Sequence, residues 1–386
     1  MAAQRTLQQV NSMLNLAKYS ESDVKEESIV VNFAKELVSS KEIKLLELSK
    51  DMVDYIKSGE SLYIKGNDTS NVVLCTNTHT FDLKEAETSN SMLILPSLDS
   101  GKQVEASENR TLKTQEVLGI YHTYYEMKPI KPRLQSLRNA LGNFPYKGKN
   151  TELSREPTGY SFAELKDIIL ASEEEILCKL QELHCVKVKG RWRLLDVGFM
   201  FGWISHLDTI LRGRESRLDD ISKSEVEDWM ALFDTPDVNE KCMSLFMEVT
   251  GDYLRWNSKA VSQLFAMYLL PELRAFDCKD FFTAWQQSMP DGVTALEEYL
   301  DGIAIVDYDS TPSLVKYMPE FEMPEDVNER LDMLFRTRSK WTLQAITPYI
   351  QPLTDAKTNV AALLTKYARS STVNGVKYYS SKYNTS

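Results

Sequence analysis

Residues 358–379, TNVAALLTKYARSSTVNGVKYY, carry the pattern that decides the fold of the C-terminal part of the chain. Thr358 or Asn359 can cap a helix, and the apolar residues that follow repeat at helical spacing. Those apolar residues are Val360, Leu363, Leu364 and Tyr367. The Asn374-Gly375 dipeptide between β-forming residues indicates a hairpin, because both residues tolerate a positive φ. A helix followed by such a hairpin is typical of the recognition helix and wing of a winged helix-turn-helix.

The same segment is basic, although the protein is acidic. The chain of 386 residues has a net charge of −11, yet Lys357–Ser386 contain five Lys or Arg residues and no Asp or Glu. A helix continued to Arg369 would present Lys366 and Arg369 opposite its apolar face. Lys377 alternates with Val376 and Tyr378 in the predicted wing, and Lys382 lies just beyond. We expect these four cations to contact DNA phosphates, which give affinity without sequence preference.

The pattern of a helix followed by a hairpin recurs twice earlier in the chain. The three copies cover residues 176–194, 293–317 and 360–379, and the helix of the second copy is predicted at Val293–Asp301. Three copies predict tandem winged helices, with extra helices in Glu225–Phe276 between the first two copies. The middle hairpin carries Asp307 and Asp309, which would repel DNA and therefore favour a role in spacing or in protein contact.

The hairpin of the first copy is also rich in cations. Lys187, Lys189, Arg191 and Arg193 alternate with Val186, Val188, Trp192 and Leu194. Strict alternation predicts that the four cations share one face of the hairpin and that the apolar residues face the core. That face is either a solvated surface or a second DNA contact, and composition alone favours neither.

Residues 44–96 predict a small β-rich domain, with a turn at Ser89-Asn90, one inserted helix at Asp51–Lys57 and a polar loop at Ser97–Asn109 after it. Short runs of β-forming residues separated by turn residues are typical of a barrel or sandwich. Five or six short strands leave unpaired edges, so we expect strands from other chains to complete the barrel. Residues 127–150 follow with six Lys or Arg and no acid, as either a solvated linker or a strap facing DNA.

These patterns together predict an α+β protein. Its N-terminal small β-barrel or sandwich would be completed by partner chains, and tandem winged-helix domains would follow. The predicted segments are a β-rich assembly domain at residues 1–125, a basic proline-containing linker at 126–158, and winged helices at 159–220, 221–320 and 321–386.

The motifs of common enzymes are missing from the sequence. It contains no phosphate-binding Gly-x-x-x-x-Gly-Lys-Ser/Thr loop, no Gly-x-Gly-x-x-Gly, no His-Glu-x-x-His and no Gly-x-Ser-x-Gly. The four histidines do not pair at the spacing of metal ligands. We expect no catalytic residue, no cofactor and no metal. Five scattered cysteines fit free thiols in a reducing compartment, and no apolar run is long enough to span a membrane.

Six stretches along the chain resemble the Dcc-type sister chromatid cohesion proteins. They are YIKSGESLYIKG (55–66), FDLKEAETSNSMLILP (81–96), ASEEEI (171–176), AWQQSMPDG (284–292), KWTLQAITPYIQPL (340–353) and LLTKYARSSTVNGVKYY (363–379). The resemblance implies a nuclear, non-catalytic accessory subunit of the alternative replication factor C clamp loader used in cohesion. The N-terminal barrel would include strands from the large and small accessory subunits. The winged helices would bind DNA and DNA polymerase epsilon, while other subunits hydrolyse ATP and load the sliding clamp.

Two other classes of protein fit the same patterns. A winged-helix transcription regulator would need residues that contact bases along its recognition helices, and the C-terminal helix offers only Lys366 and Arg369 outward. A scaffold subunit would use its winged helices to bind protein alone. Salt-dependent DNA binding distinguishes the scaffold from the DNA-binding subunit.

Overall fold

The structure is a computed structural model of the chain. It describes residues 6–19, 29–38, 41–66, 72–96, 113–152, 158–251, 253–271, 275–354 and 358–382. The chain forms two compact units, one of residues 1–74 with 81–129 and one of residues 75–80 with 130–386. The loop predicted at Ser97–Asn109 lies outside the described residues.

The smaller unit is rich in β-structure. Its elements are α1 (Leu7–Leu16), β1 (Ile29–Phe33), α2 (Lys50–Lys57), β2 (Tyr63–Lys65), β3 (Val73–Cys75), β4 (Thr80–Ile94), β5 (Lys113–Val117) and β6 (Gly119–Ile130), with the three terminal residues Cys75, Thr80 and Ile130 assigned to the larger unit. Among the described residues, the strands form a four-stranded sheet of order β2-β3-β4-β6 and a parallel pair, β1 with β5, rather than a closed barrel. The predicted helix at Asp51–Lys57 is confirmed as α2, and Ser49 caps it by accepting a hydrogen bond from the Met52 N–H at 3.3 Å.

Among its described residues, the smaller unit has few buried apolar side chains. Those that are buried are Met52, Val73, Leu74, Val117 and Tyr121. Large apolar side chains are exposed on β1 and β2, where Phe33 is 59% exposed and Ile64 is 68% exposed. Apolar surface of this kind is typical of a surface that another element covers.

The larger unit consists of helices and short hairpins. After α3 (Gln135–Gly142) and α4 (Lys149–Glu152) come α5 (Phe162–Ile168), α6 (Glu173–Glu182), β7 (Val186–Val188), β8 (Arg191–Arg193), α7 (Val197–Gly213), α8 (Lys223–Met230), α9 (Pro236–Phe246), β9 (Met247–Thr250) and β10 (Tyr253–Trp256). The chain continues with α10 (Ser258–Leu269), β11 (Ala275–Asp277), α11 (Cys278–Ser288), β12 (Ala304–Asp307), β13 (Leu314–Tyr317), α12 (Val327–Thr337), β14 (Trp341–Thr342), α13 (Leu343–Ile350), α14 (Val360–Tyr367), β15 (Ala368–Val373) and β16 (Val376–Ser381).

One arrangement recurs through the larger unit. A helix leads to a short strand, then to two helices and a hairpin, and the short strand pairs with the second strand of the hairpin. β14 pairs with β16 in this way, and β11 pairs with β13. A single residue replaces the short strand twice, since Tyr160 bridges Trp192 and Ser222 bridges Tyr253. The described part of the chain therefore contains the arrangement four times.

The sequence predicted three copies of the helix and hairpin, and the structure has these three together with one more. The additional copy is α7 to β10, part of which lies in the segment predicted to hold only extra helices. The helix predicted at Val293–Asp301 is shorter than expected, because only Glu297–Leu300 form a 3₁₀ turn there.

The segment predicted to be a linker, residues 126–158, contributes to the core. It contains α3 and α4, and Leu137 and Leu141 of α3 are fully buried against Leu165 and Ile176. The Lys131 ammonium donates hydrogen bonds to the carbonyl oxygens of Pro352 and Thr354, at 2.7 and 3.2 Å. The expectation of a solvated linker is therefore wrong for residues 131–152.

Candidate nucleic-acid interface

The C-terminal helix has the apolar face that the sequence predicts. Val360, Leu363 and Leu364 are buried, and the Asn359 side chain caps the helix by accepting a hydrogen bond from the Ala362 N–H at 2.8 Å. Lys366 is exposed on the opposite side. The helix ends at Tyr367, so Arg369 lies in strand β15 rather than on the helix.

The predicted hairpin is confirmed at Asn374-Gly375. Both residues have a positive φ, 51° and 80°, and Val373 pairs with Val376 across the turn. The register decides which face each cation occupies, because Arg369 pairs with Ser380 and Lys377 pairs with Thr372. Arg369 and Lys377 are both exposed, but they point to opposite faces of the hairpin.

The Lys382 ammonium is bound within the protein. It donates a hydrogen bond to the Lys366 carbonyl oxygen in the last turn of α14. A cation at this position satisfies a carbonyl that has no partner in the helix and interacts favourably with the negative end of the helix dipole. Lys382 thus stabilises the end of the helix, whereas Lys366, Arg369 and Lys377 are exposed. Lys366 and Lys377 each lie over a tyrosine ring, at 5.0 and 5.2 Å from its centroid.

Lys340 is a further exposed cation beside this hairpin, and the sequence pattern did not indicate it. It directly precedes Trp341, which pairs with Tyr379 of β16. Continued by one residue, this register sets Lys340 opposite Ser380, the same residue that pairs with Arg369. Its position beside the wing follows from the pairing of β14 with β16, and a strand as short as β14 has no periodicity by which the sequence could predict it.

The hairpin of the first copy does not present its four cations on one face. Its turn is the two residues Lys189 and Gly190, and the register joins Val188 to Arg191, Lys187 to Trp192 and Val186 to Arg193. This register joins odd-numbered residues of one strand to even-numbered residues of the other. Arg191 and Arg193 therefore lie on the face of Val186, while Lys187 lies on the opposite face with Trp192.

Arg193 is buried and holds together the base of the first copy. Its guanidinium forms a bidentate ion pair with Glu152, with Nη1–Oε2 and Nη2–Oε1 both 3.1 Å. It also donates hydrogen bonds to the carbonyl oxygens of Phe144, Pro145 and Thr158. Since only 4% of Arg193 is exposed, the prediction that it binds DNA is wrong.

The other three cations of this hairpin differ in how many contacts they make within the protein. Arg191 is half-buried, pairs with Glu164 at 2.9 Å and donates to the Gly159 carbonyl oxygen at 2.8 Å. Lys189 is exposed and donates to the Glu152 carbonyl oxygen at 3.3 Å. Lys187 is exposed on the face of Trp192. Lys187 and Lys189 are consequently the cations of this hairpin that can reach an external phosphate.

The acidic hairpin of the third copy has a structural explanation. Asp307 accepts a hydrogen bond from Lys316 at 2.7 Å, and this bond lowers the pKa of Asp307. Asp307 also accepts a hydrogen bond from the Asp309 N–H at 3.2 Å, which is an Asx-turn contact.

Among the described residues, no group of three His, Cys, Asp or Glu side chains is placed to hold a metal ion. The described helices include none long and apolar enough to cross a membrane.

Comparison with known proteins assigns the chain to a family. The family model described as sister chromatid cohesion protein Dcc1 matches residues 43–350. Sister chromatid cohesion protein DCC1 of Xenopus laevis is 31% identical over 385 residues, which cover 98% of each chain. The protein of the same name from Homo sapiens is 30% identical over 387 residues, with the same coverage, and that of Saccharomyces cerevisiae is 23% identical over 84% of this chain and 93% of its own length. The chain belongs to the Dcc1 family of sister chromatid cohesion proteins.

Proposed function

We propose that this protein is a non-catalytic accessory subunit of the alternative clamp loader that acts in sister chromatid cohesion and DNA replication. In this role it supports loading and unloading of the sliding clamp and binds DNA itself. The observation that carries the DNA-binding part is the set of exposed cations around the last hairpin of an acidic protein, Lys366, Arg369 and Lys377. Family membership supports the part concerned with cohesion.

The four repeated arrangements of the larger unit act as winged helices in this proposal. The pairing of the short leading strand with the second hairpin strand supports this reading. In the last copy, α14 is the recognition helix and β15–β16 are the wing. Lys366 and Lys340 are suited to phosphate rather than base contact, because an isolated ammonium attracts any phosphate and carries no sequence information.

The smaller unit joins the large and small accessory subunits. Its small core and its exposed Phe33 and Ile64 support a surface that partner strands cover. β2 is an outer strand of its sheet, and an outer strand offers backbone groups for pairing with another chain. The closed barrel would then form only in the complex.

The polymerase contact belongs to the copies with less basic hairpins. Asp307 and Asp309 oppose DNA binding at β12–β13, which leaves this hairpin for protein contact. DNA polymerase epsilon is the partner implied by the resemblance to Dcc-type proteins, and work at the replication fork requires a nuclear location. The protein itself hydrolyses no nucleotide.

Coexpression tests this proposal. The chain is produced with and without the large and small accessory subunits, and the purified complex is assayed for binding to DNA duplexes of unrelated sequence. We expect a stoichiometric complex that binds these duplexes with similar affinity and strong salt dependence. A chain that remains monomeric and soluble beside both subunits, or a marked preference for one sequence, would favour the transcription regulator. A complex without DNA affinity would favour the protein scaffold.

A further inference from the structure

A cleft of about 660 Å³ opens in the larger unit beside α3. Its opposite wall is the 3₁₀ turn Glu320–Glu322 and the residues that lead to α12. The volume lies within the range of sites that hold ligands or peptide side chains. None of the candidate DNA-binding residues lines this cleft.

Among the described residues, Arg138 is the basic residue that lines the cleft, and no carboxylate is directly paired with its guanidinium. Its Cζ lies 3.7 Å from the centroid of the Phe321 ring. Within the described residues, no carboxylate forms a direct ion pair with Arg138, although Glu322 and, less strongly, Glu320 attract it at longer range. Stacking uses the face of the guanidinium and leaves its in-plane N–H groups available, and these groups match a carboxylate in bidentate geometry.

The wall against which Arg138 stacks is fixed in place. The Gln135 side-chain amide donates to the Phe321 carbonyl oxygen at 2.6 Å, and the Gln135 N–H donates to Glu325 at 2.8 Å. Both contacts hold the turn against α3. The guanidinium is therefore positioned before any ligand arrives, which reduces the entropy lost on binding.

The surroundings of Arg138 strengthen its attraction for an anion. Burial lowers the pKa of Arg138, because it removes the charged guanidinium from water. Glu322 attracts Arg138 and so offsets part of the cost of burial, but it forms no direct ion pair with it, and Glu320 is itself paired with Arg330 at 2.6 Å. A half-buried cation without a direct ion pair is costly, and a bound carboxylate would reduce that cost.

We propose that this cleft binds a peptide segment of a protein partner through a single carboxylate side chain on Arg138. The exposed amides of Asn139 and Asn143 lie on the same wall and can pair with the peptide main chain. Leu194 and Pro324 supply apolar surface for the neighbouring peptide side chains. Glu322 also lines the cleft and opposes a ligand with several negative charges, so a nucleic-acid strand is a poor occupant.

Two peptide libraries test the proposal on the full chain. One is acetyl-X-X-Glu-X-X-amide and the other has Gln at the centre, with X drawn from Ala, Leu, Phe and Pro. Bound peptides are identified by affinity selection, and the strongest is measured by fluorescence anisotropy. We expect the Glu peptide to bind at least about tenfold more tightly than its Gln counterpart, because a charge-assisted hydrogen bond is lost in the latter.

Variants of the protein complete the test. Arg138→Gln should weaken the Glu peptide by at least about tenfold, and Arg138→Lys should recover only part of the affinity, because Lys lacks the bidentate fork. Arg133→Gln removes one charge from the same segment, outside the cleft, and should leave binding unchanged. Thermal unfolding confirms that each variant is folded, and Asn143→Ala gives a second, milder probe of the same wall.

Three results with peptides would overturn the proposal. The first is the absence of any selected Glu peptide, the second is equal binding of Glu and Gln peptides, and the third is full binding by Arg138→Gln. Displacement of the peptide by a DNA duplex that itself needs Arg138 would assign the cleft to nucleic acid instead. DNA binding through Lys366, Arg369 and Lys377 is measured separately, so either proposal can fail without the other.

Discussion

Arg193 and Glu152 form a bidentate ion pair in the interior of the larger unit, with both N–O distances at 3.1 Å. Only 4% of Arg193 and 7% of Glu152 are exposed. Arg193→Gln would leave the Glu152 carboxylate buried without its cation. We expect this variant to lose about 3–5 kcal/mol of unfolding free energy, measured by urea denaturation followed by tryptophan fluorescence.

The double variant Arg193→Met with Glu152→Leu distinguishes a lost ion pair from lost volume. It removes both charges, so it should be more stable than Arg193→Met alone. Lys187→Gln serves as a matched control on the exposed face of the same hairpin and should change stability by no more than about 0.5 kcal/mol. If Arg193→Gln also stays within that limit, the ion pair does not stabilise the fold.

Gly159 is required by the side chain and backbone that cross it. A Cβ atom at this position would lie 2.4 Å from Arg193 Cδ and 2.8 Å from the Trp192 carbonyl oxygen, and its φ is +103°. Gly159→Ala should cost more than about 1 kcal/mol, because both the strained backbone and the contact with a fixed carbonyl oppose it. A Cβ atom at Gly142 would meet open space, so Gly142→Ala should leave stability unchanged or raise it. Thermal unfolding of both variants measures the two effects.

The sequence predicted local structure well where the determinant is local. The apolar spacing of Val360, Leu363 and Leu364 gave the correct face of α14, and Asn374-Gly375 gave the correct hairpin. Both features depend on residues a few positions apart. The end of the same helix was missed, because Arg369 belongs to a strand whose partner must be known first.

Features that depend on register or on distant partners were not predictable in this way. Alternation suggested one shared face for the cations near Gly190. The two-residue turn instead pairs odd-numbered residues of one strand with even-numbered residues of the other, so the cations are divided between both faces. The acid that neutralises Arg193 lies 41 residues earlier in the chain. Ser89-Asn90 resembled a turn but lies inside β4, since pairing with neighbouring strands overrides a weak turn signal.

The additional copy of the repeated arrangement did have a signal in the sequence. Gly251-Asp252 lies between the β-forming residues Val249-Thr250 and Tyr253-Leu254, which is a hairpin pattern. The apolar periodicity of the surrounding helices is a stronger pattern than this hairpin signal, so the segment was predicted to be helical. Its leading strand is reduced to Ser222, a single bridge that no periodicity reveals.

The environment of Tyr146 should make the folded protein less stable at alkaline pH. Its hydroxyl donates a hydrogen bond to Asp234 at 2.6 Å, and burial followed by this bond raises the pKa of Tyr146 above its usual value. A tyrosine whose pKa is higher in the folded state stabilises the protein fully below its unfolded pKa of about 10, and this stabilisation is lost as the pH rises above that value.

Tyr146→Phe tests this dependence. At pH 7 the variant should be less stable by about 1–3 kcal/mol, because Asp234 loses a donor. Above pH 10 the difference from the parent should become smaller, as measured by urea unfolding at a series of pH values. Tyr253→Phe, at an exposed tyrosine, should follow the parent throughout. A constant difference at every pH would contradict the raised pKa.

DNA binding at the final hairpin should depend on three exposed cations. Lys366, Arg369 and Lys377 are exposed, whereas the Lys382 ammonium is bound to the Lys366 carbonyl oxygen. If the three exposed cations each neutralise one phosphate, they should contribute about −3 to the slope of log K against log salt concentration. Each charge-removing variant, such as Lys366→Gln, should reduce the size of the slope by about one unit, similarly for unrelated duplex sequences.

The controls for this prediction separate charge from folding. Lys223→Gln removes a charge from α8, where Lys223 pairs with Glu227 at 3.4 Å, and should leave the slope unchanged. Leu364→Ala opens a cavity at a fully buried position and should cost about 2–5 kcal/mol of stability, with DNA binding lost only through unfolding. Fluorescence anisotropy at several salt concentrations supplies both affinity and slope.

Because Arg369 and Lys377 face opposite sides of the hairpin, a duplex that contacts only one side would respond to one of these two substitutions and not the other. A triple variant with the affinity and slope of the parent would assign these cations to an acidic protein partner instead.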